Sequence, residues 1–387
     1  MVDFTLTAAQ RAWRNKAHQF AIEHIIPRSD LDTHGCFPWE VYQQAFDQGF
    51  MTSMLPQRLG GGGYSAFELL LAAEEFGYGD LGVATSALLF KLSTASILQF
   101  GTPEQQERWI RPLTQELRFA AHAYTEPEGS SNLFGLPATT TATPVDGGYL
   151  LRGIKSTISN AGVASVLTVF ARIDPGPGGL SCLVVPRSAP GVVVSNPYKK
   201  MGQRAADTGE IQFNDVFVPA EDLIGQPEQG NQIAMRAIRS SRVGVAAMAV
   251  GVARRAQELI RQHGHARRVS NGSKLIEQQD YRFRLAEIEA DIEMVRALCW
   301  RACWEVEQGN QATKFSSCAK LAGANMAVRV TNLGVEMLGA QGYLESGHME
   351  KLLRDAKVLQ IYEGPAPVQK MLIADVCTRI GRKGGTS

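Results

Sequence analysis

The hydrophobic period of this chain changes twice, and that double switch limits the possible fold more than any other feature. From Thr7 to about residue 120, apolar residues recur at helical spacing. Between about His122 and Gly225 they alternate, and Thr, Val, Gly and Pro become frequent. Beyond Glu228 the helical period returns and holds to about Ile380. Helices, then strands, then helices predict three consecutive units: a helical domain over 1–120, a β domain over 121–226 and a second helical domain over 227–387. At 387 residues the chain exceeds what one hydrophobic core supports, and 44% hydrophobic residues suffice to fill several.

Local signals refine this outline. Ala8–Ile26 and Pro38–Phe50 read as helices. The run Gly60-Gly-Gly-Gly63 is a turn rather than a phosphate loop, because no strand precedes it and no Gly-Lys-Ser/Thr follows. Ser65-Ala-Phe-Glu68 and Thr102-Pro-Glu-Gln105 are capping boxes that start helices. In the middle domain Val145-Asp-Gly-Gly-Tyr149 and Asp174-Pro-Gly-Pro-Gly-Gly179 read as hairpin turns, and 180–185, 192–195 and 211–218 as strands. Breaks in the last domain fall at 264–273, 309–310 and 339–347.

Charge and motifs exclude several function classes. Lys plus Arg (39) nearly balances Asp plus Glu (38), so neither nucleic acid nor an anionic membrane is an expected partner. The apolar run Val243–Ala253 is too short to span a bilayer and should be a buried helix that starts at Ser241-Arg242. Six cysteines lack CxxC spacing, which predicts free thiols in a reducing compartment. With no basic, apolar leader at Met1, a cytoplasmic location is expected. No HExxH and no Gly-x-Ser-x-Gly is present, and no metal site is expected.

The chemistry concentrates near the C-terminus, in Leu352-Leu-Arg-Asp-Ala-Lys-Val-Leu-Gln-Ile-Tyr-Glu-Gly364. Apolar Leu352, Leu353, Ala356, Leu359 and Ile361 predict an amphipathic helix. Gly364, Pro365 and Pro367 then stop it and leave Tyr362 and Glu363 in its last turn. The negative end of a helix dipole and apolar surroundings both raise a carboxyl pKa, which suits a general base; the plain alternative is a solvated Glu.

Arg354-Asp355-Ala356-Lys357 through Ile361-Tyr362-Glu363-Gly364 resembles the C-terminal signature of the acyl-CoA dehydrogenase family. Ala123-Tyr-Thr-Glu-Pro-Glu-Gly-Ser-Ser-Asn132, Gly153-Ile-Lys-Ser-Thr-Ile-Ser-Asn160 and Lys200-Met-Gly-Gln-Arg204 resemble its other segments, in the same order along the chain. The resemblance implies an α+β multidomain fold: an N-terminal helical domain, a middle β-barrel or sandwich, and a C-terminal four-helix bundle. It implies FAD as cofactor and dehydrogenation of an acyl thioester, carried by CoA or by an acyl carrier protein. Glu363 would remove the α-proton while flavin N5 takes the β-hydride.

The same resemblance distributes the remaining roles. Tyr124, Thr125, Ser131, Thr157 and Ser159 would line the flavin, and Arg268, Ser270, Gln279 and Gly339 would reach its adenylate half, partly from a neighbouring subunit. Ser131, Arg242, Tyr362 and Gly364 would lie along the substrate. Read from the residues alone, Arg242 is equally a helix end in solvent and Arg268 a basic loop. Electrons would pass to an electron-transfer flavoprotein or to oxygen, and a homotetramer or homodimer is implied. The chain departs from the family pattern at Thr157, where Trp is common, at Asn271, at Glu336 and Ala340, and over Pro365–Pro367. These departures predict rearranged cofactor contacts with reduced FAD affinity. A flavin monooxygenase or oxidase on the same scaffold is the alternative, although such chemistry has no need of an α-proton base.

Overall fold

The structure is a computed structural model that describes residues 4–129, 138–176, 179–309 and 313–378. Helices α1 (Ala8–Phe20), α2 (Trp39–Asp47), α3 (Ala66–Gly79), α4 (Leu81–Phe100), α5 (Pro103–Trp109) and α6 (Pro112–Gln115) come first. Strands β1 (Phe119–Ala123), β2 (Thr141–Val145), β3 (Gly148–Ser159), β4 (Ala164–Ile173), β5 (Leu180–Pro186), β6 (Val192–Val194), β7 (Thr208–Pro219) and β8 (Leu223–Ile224) follow. The chain then returns to helix in α7 (Gly230–Ala266), α8 (Gln279–Glu307), α9 (Thr313–Leu338), α10 (Ala340–Tyr343), α11 (Met349–Lys357) and α12 (Ala366–Cys377). The helix–strand–helix order expected from the period switch is therefore present.

These elements form two compact units. One comprises Met1–Ala21, Ala66–Leu81 and Arg242–Ser387 and is helical; the other comprises Ile22–Ser65 and Gly82–Ser241 and contains the sheet. In the helical unit α9 packs against α8, α10, α11 and α12. Helices α3 and α7 approach so closely that a Cβ on Gly251 would sit 2.0 Å from the Glu74 carbonyl oxygen, and one on Gly77 2.6 Å from that of Met248. Only glycine allows that contact. Around it, Arg254 Nη1 donates to Glu74 (2.9 Å) and Glu75 (2.8 Å), and Arg296 Nη2 to Glu74 (2.9 Å), which neutralises two buried carboxylates.

In the other unit the strand order is β6-β7-β3-β2-β4-β5-β8, with β1 parallel to β4. The first predicted hairpin is found, and the strands flanking the second are paired, residues 177 and 178 of its turn lying outside the described residues. Val145 pairs with Gly148 across a turn in which Gly147 takes φ +74°, and β4 and β5 pair antiparallel from Val166↔Pro186 to Arg172↔Leu180. Thr102 caps α5 in the expected box, its side chain accepting from Gln105 N while the Gln105 side chain accepts from Thr102 N. A core of Phe90, Ile97, Ile110, Phe170, Cys182, Val184, Ile224 and Ile233 fills this unit. Helix α4 is long and apolar enough to cross a membrane by length and composition, but 81% of that stretch is buried inside the protein.

Three helix boundaries differ from expectation. The first helix changes to a π turn at Ala21–Ile25. Helix α7 begins at Gly230, so Arg242 lies inside a continuous helix rather than at its start, and it is buried at 3% exposure. Helix α11 ends at Lys357, a turn earlier than the apolar spacing predicts, and a 3-10 turn at Val358–Gln360 follows. Glu363 therefore lies beyond the helix and not in its last turn. Its φ of +57° and that of Gly364, +89°, are both left-handed, and two such residues in succession cannot continue a right-handed ladder.

Candidate active site

The turn between α11 and α12 is built by its unusual backbone. A left-handed conformation costs a non-glycine residue about 1–2 kcal/mol, so Glu363 holds it only where surrounding contacts enforce it. Those contacts go to two carbonyls. Gln369 Nε2, on α12, donates to the oxygens of Glu363 (2.9 Å) and Gly364 (2.8 Å). Arg242 Nε, on α7, donates to Glu363 O (3.3 Å), and Lys320 Nζ, on α9, to Gly364 O (2.8 Å). The three side chains are buried, at 0%, 3% and 1% exposure respectively. Gly364 is required for this geometry, because a Cβ there would meet Gln369 Nε2 at 2.7 Å.

Charge is concentrated at the same place. Burial lowers the Lys320 ammonium to about 8; the Glu363 carboxylate acts against that shift and the Arg242 guanidinium with it. Glu363 and Tyr362 are half-buried. The turn thus presents a carboxylate on a fixed backbone with two cations beside it. Of the residues expected along the substrate, Arg242, Tyr362 and Gly364 gather here, while Ser131 lies outside the described residues.

Of the residues expected along the flavin ring, Tyr124 and Thr125 belong to a second polar centre, in the sheet unit. Tyr124 and Thr125 follow β1. Thr125 O accepts from Ser156 N (2.9 Å), and Lys155 Nζ donates to Tyr124 O (3.1 Å) and to Glu126 Oε1 (2.8 Å). Glu126 also accepts from Thr139 N (2.7 Å), Thr139 Oγ1 (2.8 Å) and Thr140 N (3.0 Å). Burial alone would raise its carboxyl, but the Lys155 ammonium and these donors outweigh it and hold Glu126 at about 2. Tyr124 Oη donates to Asn231 Oδ1 (3.3 Å), and burial, with the Glu126 charge second, pushes the phenol up to about 12. Thr157 is exposed at φ +53° and Ser159 is half-buried at the end of β3.

Arg268 and Ser270 are exposed in the α7–α8 connection of the helical unit, where Arg268 Nη1 donates to Gly272 O (2.7 Å), and Gln279 is exposed at the first position of α8. Gly339 is exposed at φ +61° with no atom within 4 Å of a Cβ built on it. No sequence motif assigns a role to Lys320, Gln369, Glu126 or Lys155. Glu126 and Lys155 stand inside the quoted motifs. Lys320 had a detectable signal, as the one charge in the otherwise apolar and small-residue stretch from Phe315 to Val328.

The acyl-CoA dehydrogenase N-terminal, middle and C-terminal domain profiles match residues 7–116, 121–216 and 228–378. The chain belongs to the acyl-CoA dehydrogenase family. It is 32% identical to an acryloyl-CoA reductase (NADH) of Anaerotignum propionicum, covering 96% of this chain and 95% of that one. Its structure resembles the butyryl-CoA dehydrogenase of Megasphaera elsdenii with a TM-score of 0.93 (32% identity; 98% and 100% coverage). It also resembles a prolyl acyl carrier protein oxidase with a TM-score of 0.92 (28% identity; 97% and 100% coverage). The protein is accordingly an FAD-dependent oxidoreductase acting on CH–CH bonds of acyl thioesters. Its donor set fits that cofactor: among the described residues the Thr125 and Ser159 hydroxyls make no hydrogen bond within the protein and are available to the polar edge of a flavin.

Proposed function

We propose that this chain oxidises the Cα–Cβ bond of an acyl thioester with Glu363 as the base that takes the α-proton. The observation that carries this reading is the Glu363–Gly364 turn, whose two carbonyls are gripped by three buried side chains. Such a turn fixes the origin of the carboxylate, and a base must be held within hydrogen-bond reach of the proton it removes. Glu363 N–H is assigned to the thioester carbonyl, where it makes the α-proton acidic. Tyr362 and Gly364 flank the thioester, and Arg242, through its bond to Glu363 O, supports the base from behind. FAD, when bound, supplies the acceptor for the β-hydride.

Tyr124, Thr125, Thr157 and Ser159 are assigned to the flavin ring, with Ser131 beside the thioester. Arg268, Ser270, Gln279 and Gly339 are assigned to the adenylate half. The exposure of the Arg268 connection supports its serving a neighbouring copy in a homodimer or homotetramer. An electron-transfer flavoprotein is the proposed acceptor of the electrons, with oxygen the alternative. No disulfide joins the six cysteines, which supports a reducing, cytoplasmic setting.

The test is anaerobic mixing of the FAD-loaded enzyme with butyryl-CoA, watched as bleaching of the flavin. Glu363→Gln should slow bleaching by about 10²–10⁴-fold, the usual contribution of a positioned base. Bleaching at the parent's rate would refute the assignment. A carrier-protein tether is a second reading, favoured by the likeness to a prolyl acyl carrier protein oxidase. Butyryl and prolyl groups offered as matched CoA and carrier-protein thioesters distinguish the two, and faster reduction by the CoA esters eliminates the carrier.

A further inference from the structure

Lys320 is hard to account for by stability. It is 1% exposed, it comes from the middle of α9, and the bond it makes is to a neutral acceptor, Gly364 O. A buried ammonium whose hydrogen bond goes to a neutral carbonyl is costly even with a carboxylate nearby, and an apolar side chain of the same volume would pack there at lower cost. A residue that breaks a local rule in this way points to function.

Its surroundings show which function. Gly364 O takes donors from Lys320 and Gln369, and Glu363 O takes donors from Arg242 and Gln369, so four hydrogen bonds from three helices meet on two successive peptide units. Both of those residues are left-handed. On its own helix Lys320 has the neutral Ser316 and Ser317 one turn back, both buried. From α12 it faces neutral Gln369, from α7 the Arg242 guanidinium, and from the turn the Glu363 carboxylate, and the last two are the charges that act on it.

We propose that Lys320 is a positioning residue for Glu363: its ammonium anchors the base-bearing turn through the Gly364 carbonyl and keeps a positive charge beside the carboxylate. This deepens the reading of Glu363 as the base and rests on it. The anchor holds the carboxylate where the α-proton is presented. The charge favours the ionised form of Glu363, the form that accepts a proton. Arg242 Nε bonds the other carbonyl, that of Glu363, so the two cations hold successive peptide units.

The test compares Lys320→Met, which removes donor and charge, Lys320→Gln, which keeps a donor, and Lys320→Arg, which keeps both. Each FAD-loaded protein is mixed anaerobically with butyryl-CoA over a range of pH. Lys320→Met should cut the limiting rate of flavin bleaching by about tenfold or more while the half-saturating butyryl-CoA concentration moves by less than about threefold, the pattern of a lost contribution to the chemical step. Its acid limb should move up by about one pH unit, because the neighbouring positive charge is gone. Lys320→Gln should recover part of the rate but not the limb, and Lys320→Arg should bring the limb back.

A second measurement needs no bound flavin. Thermal unfolding of the apo protein should show the parent gaining stability over Lys320→Met as pH rises from about 8 to 10.5, where the unfolded chain binds the proton that the folded one has lost. An acid limb for Lys320→Met within 0.2 units of the parent's, roughly the resolution of such a profile, overturns the proposal. If Lys320→Met fails to fold, the same limb shift is required of Lys320→Gln. Parental bleaching by Glu363→Gln would instead remove the base assignment itself, so the two failures are separable.

Discussion

The Lys155–Glu126 pair offers the sharpest test of how the Tyr124–Glu126 segment, proposed to line the flavin, is held. Lys155 is 1% exposed and Glu126 8%, their atoms are 2.8 Å apart, and Lys155 also donates to Tyr124 O. Replacing Lys155 by Met leaves an ionised carboxylate buried without its counter-charge, which costs about 3–5 kcal/mol. Folded domains hold about 5–15 kcal/mol in total. For a body of roughly 200 residues, each kcal/mol lowers the melting temperature by about 2–4 °C, so Lys155→Met should melt about 10 °C below the parent by calorimetry. The pH response follows from the same pair. Held at about 2 against an ordinary 4.5, Glu126 adds stability that is present above pH 4.5 and is lost as pH falls toward 2; without Lys155 that loss begins at higher pH. Adding Glu126→Gln to Lys155→Met should recover at least half of the loss, because no orphan charge remains and a carbonyl still meets Thr139 N or Thr140 N. A single Lys155→Met variant melting within about 2 °C of the parent would refute this, since a loss below 1 kcal/mol is the size of a solvated surface pair.

Three further outcomes are expected. His122 lies with Nε2 buried and without a hydrogen-bond partner, and burial first, then the Lys155 charge, lowers its pKa to about 3. It is neutral in the folded protein, so stability should fall on acidification from pH 6.5 toward 3; His122→Phe should reduce that slope and gain about 1–3 kcal/mol by removing the unpaired polar atom, measured by urea titration at several pH values. Arg268→Ala should weaken FAD binding by about 10–100-fold in equilibrium dialysis, the loss of charge-assisted bonds to a diphosphate, and unchanged retention would remove Arg268 from the cofactor site. With Thr157, Asn271, Glu336 and Pro365 departing from the family pattern, the parent itself should purify with less than one flavin per chain.

The fold was legible because period and turn chemistry are local. Val145-Asp-Gly-Gly-Tyr149 makes its hairpin by pairing Val145 with Gly148, three residues along, and Thr102 caps α5 with a residue equally close. The end of α11 was misjudged for the opposite reason. Spacing carried the apolar face on to Ile361, yet Ile361 is 58% exposed, and the helix gives way because two left-handed residues are stabilised from outside it by α7, α9 and α12. Helical spacing reports which face a residue would take, not whether distant helices pull the backbone out of the ladder.

The site divided along the same line. The residues proposed to meet a ligand sit in contiguous motifs, Tyr124-Thr125 and Tyr362-Glu363-Gly364, and can be read one after another. Those that act on backbone carbonyls do not, because a carbonyl has no side-chain identity and its partner can come from anywhere in the chain. Lys320 is 44 residues from Gly364, and Arg242 is 121 from Glu363. What betrays such a residue is a charge with no amphipathic reason to be where it is. By that criterion Lys320 and Lys155 are the same kind of feature in the two units: a buried ammonium bonded to a backbone carbonyl of a segment proposed to carry the chemistry. If that reasoning holds, Lys155→Met should disturb flavin retention more than the proton step, and Lys320→Met the proton step more than flavin retention. The reverse ranking in dialysis and pH profiles would show that the two lysines were paired by burial alone.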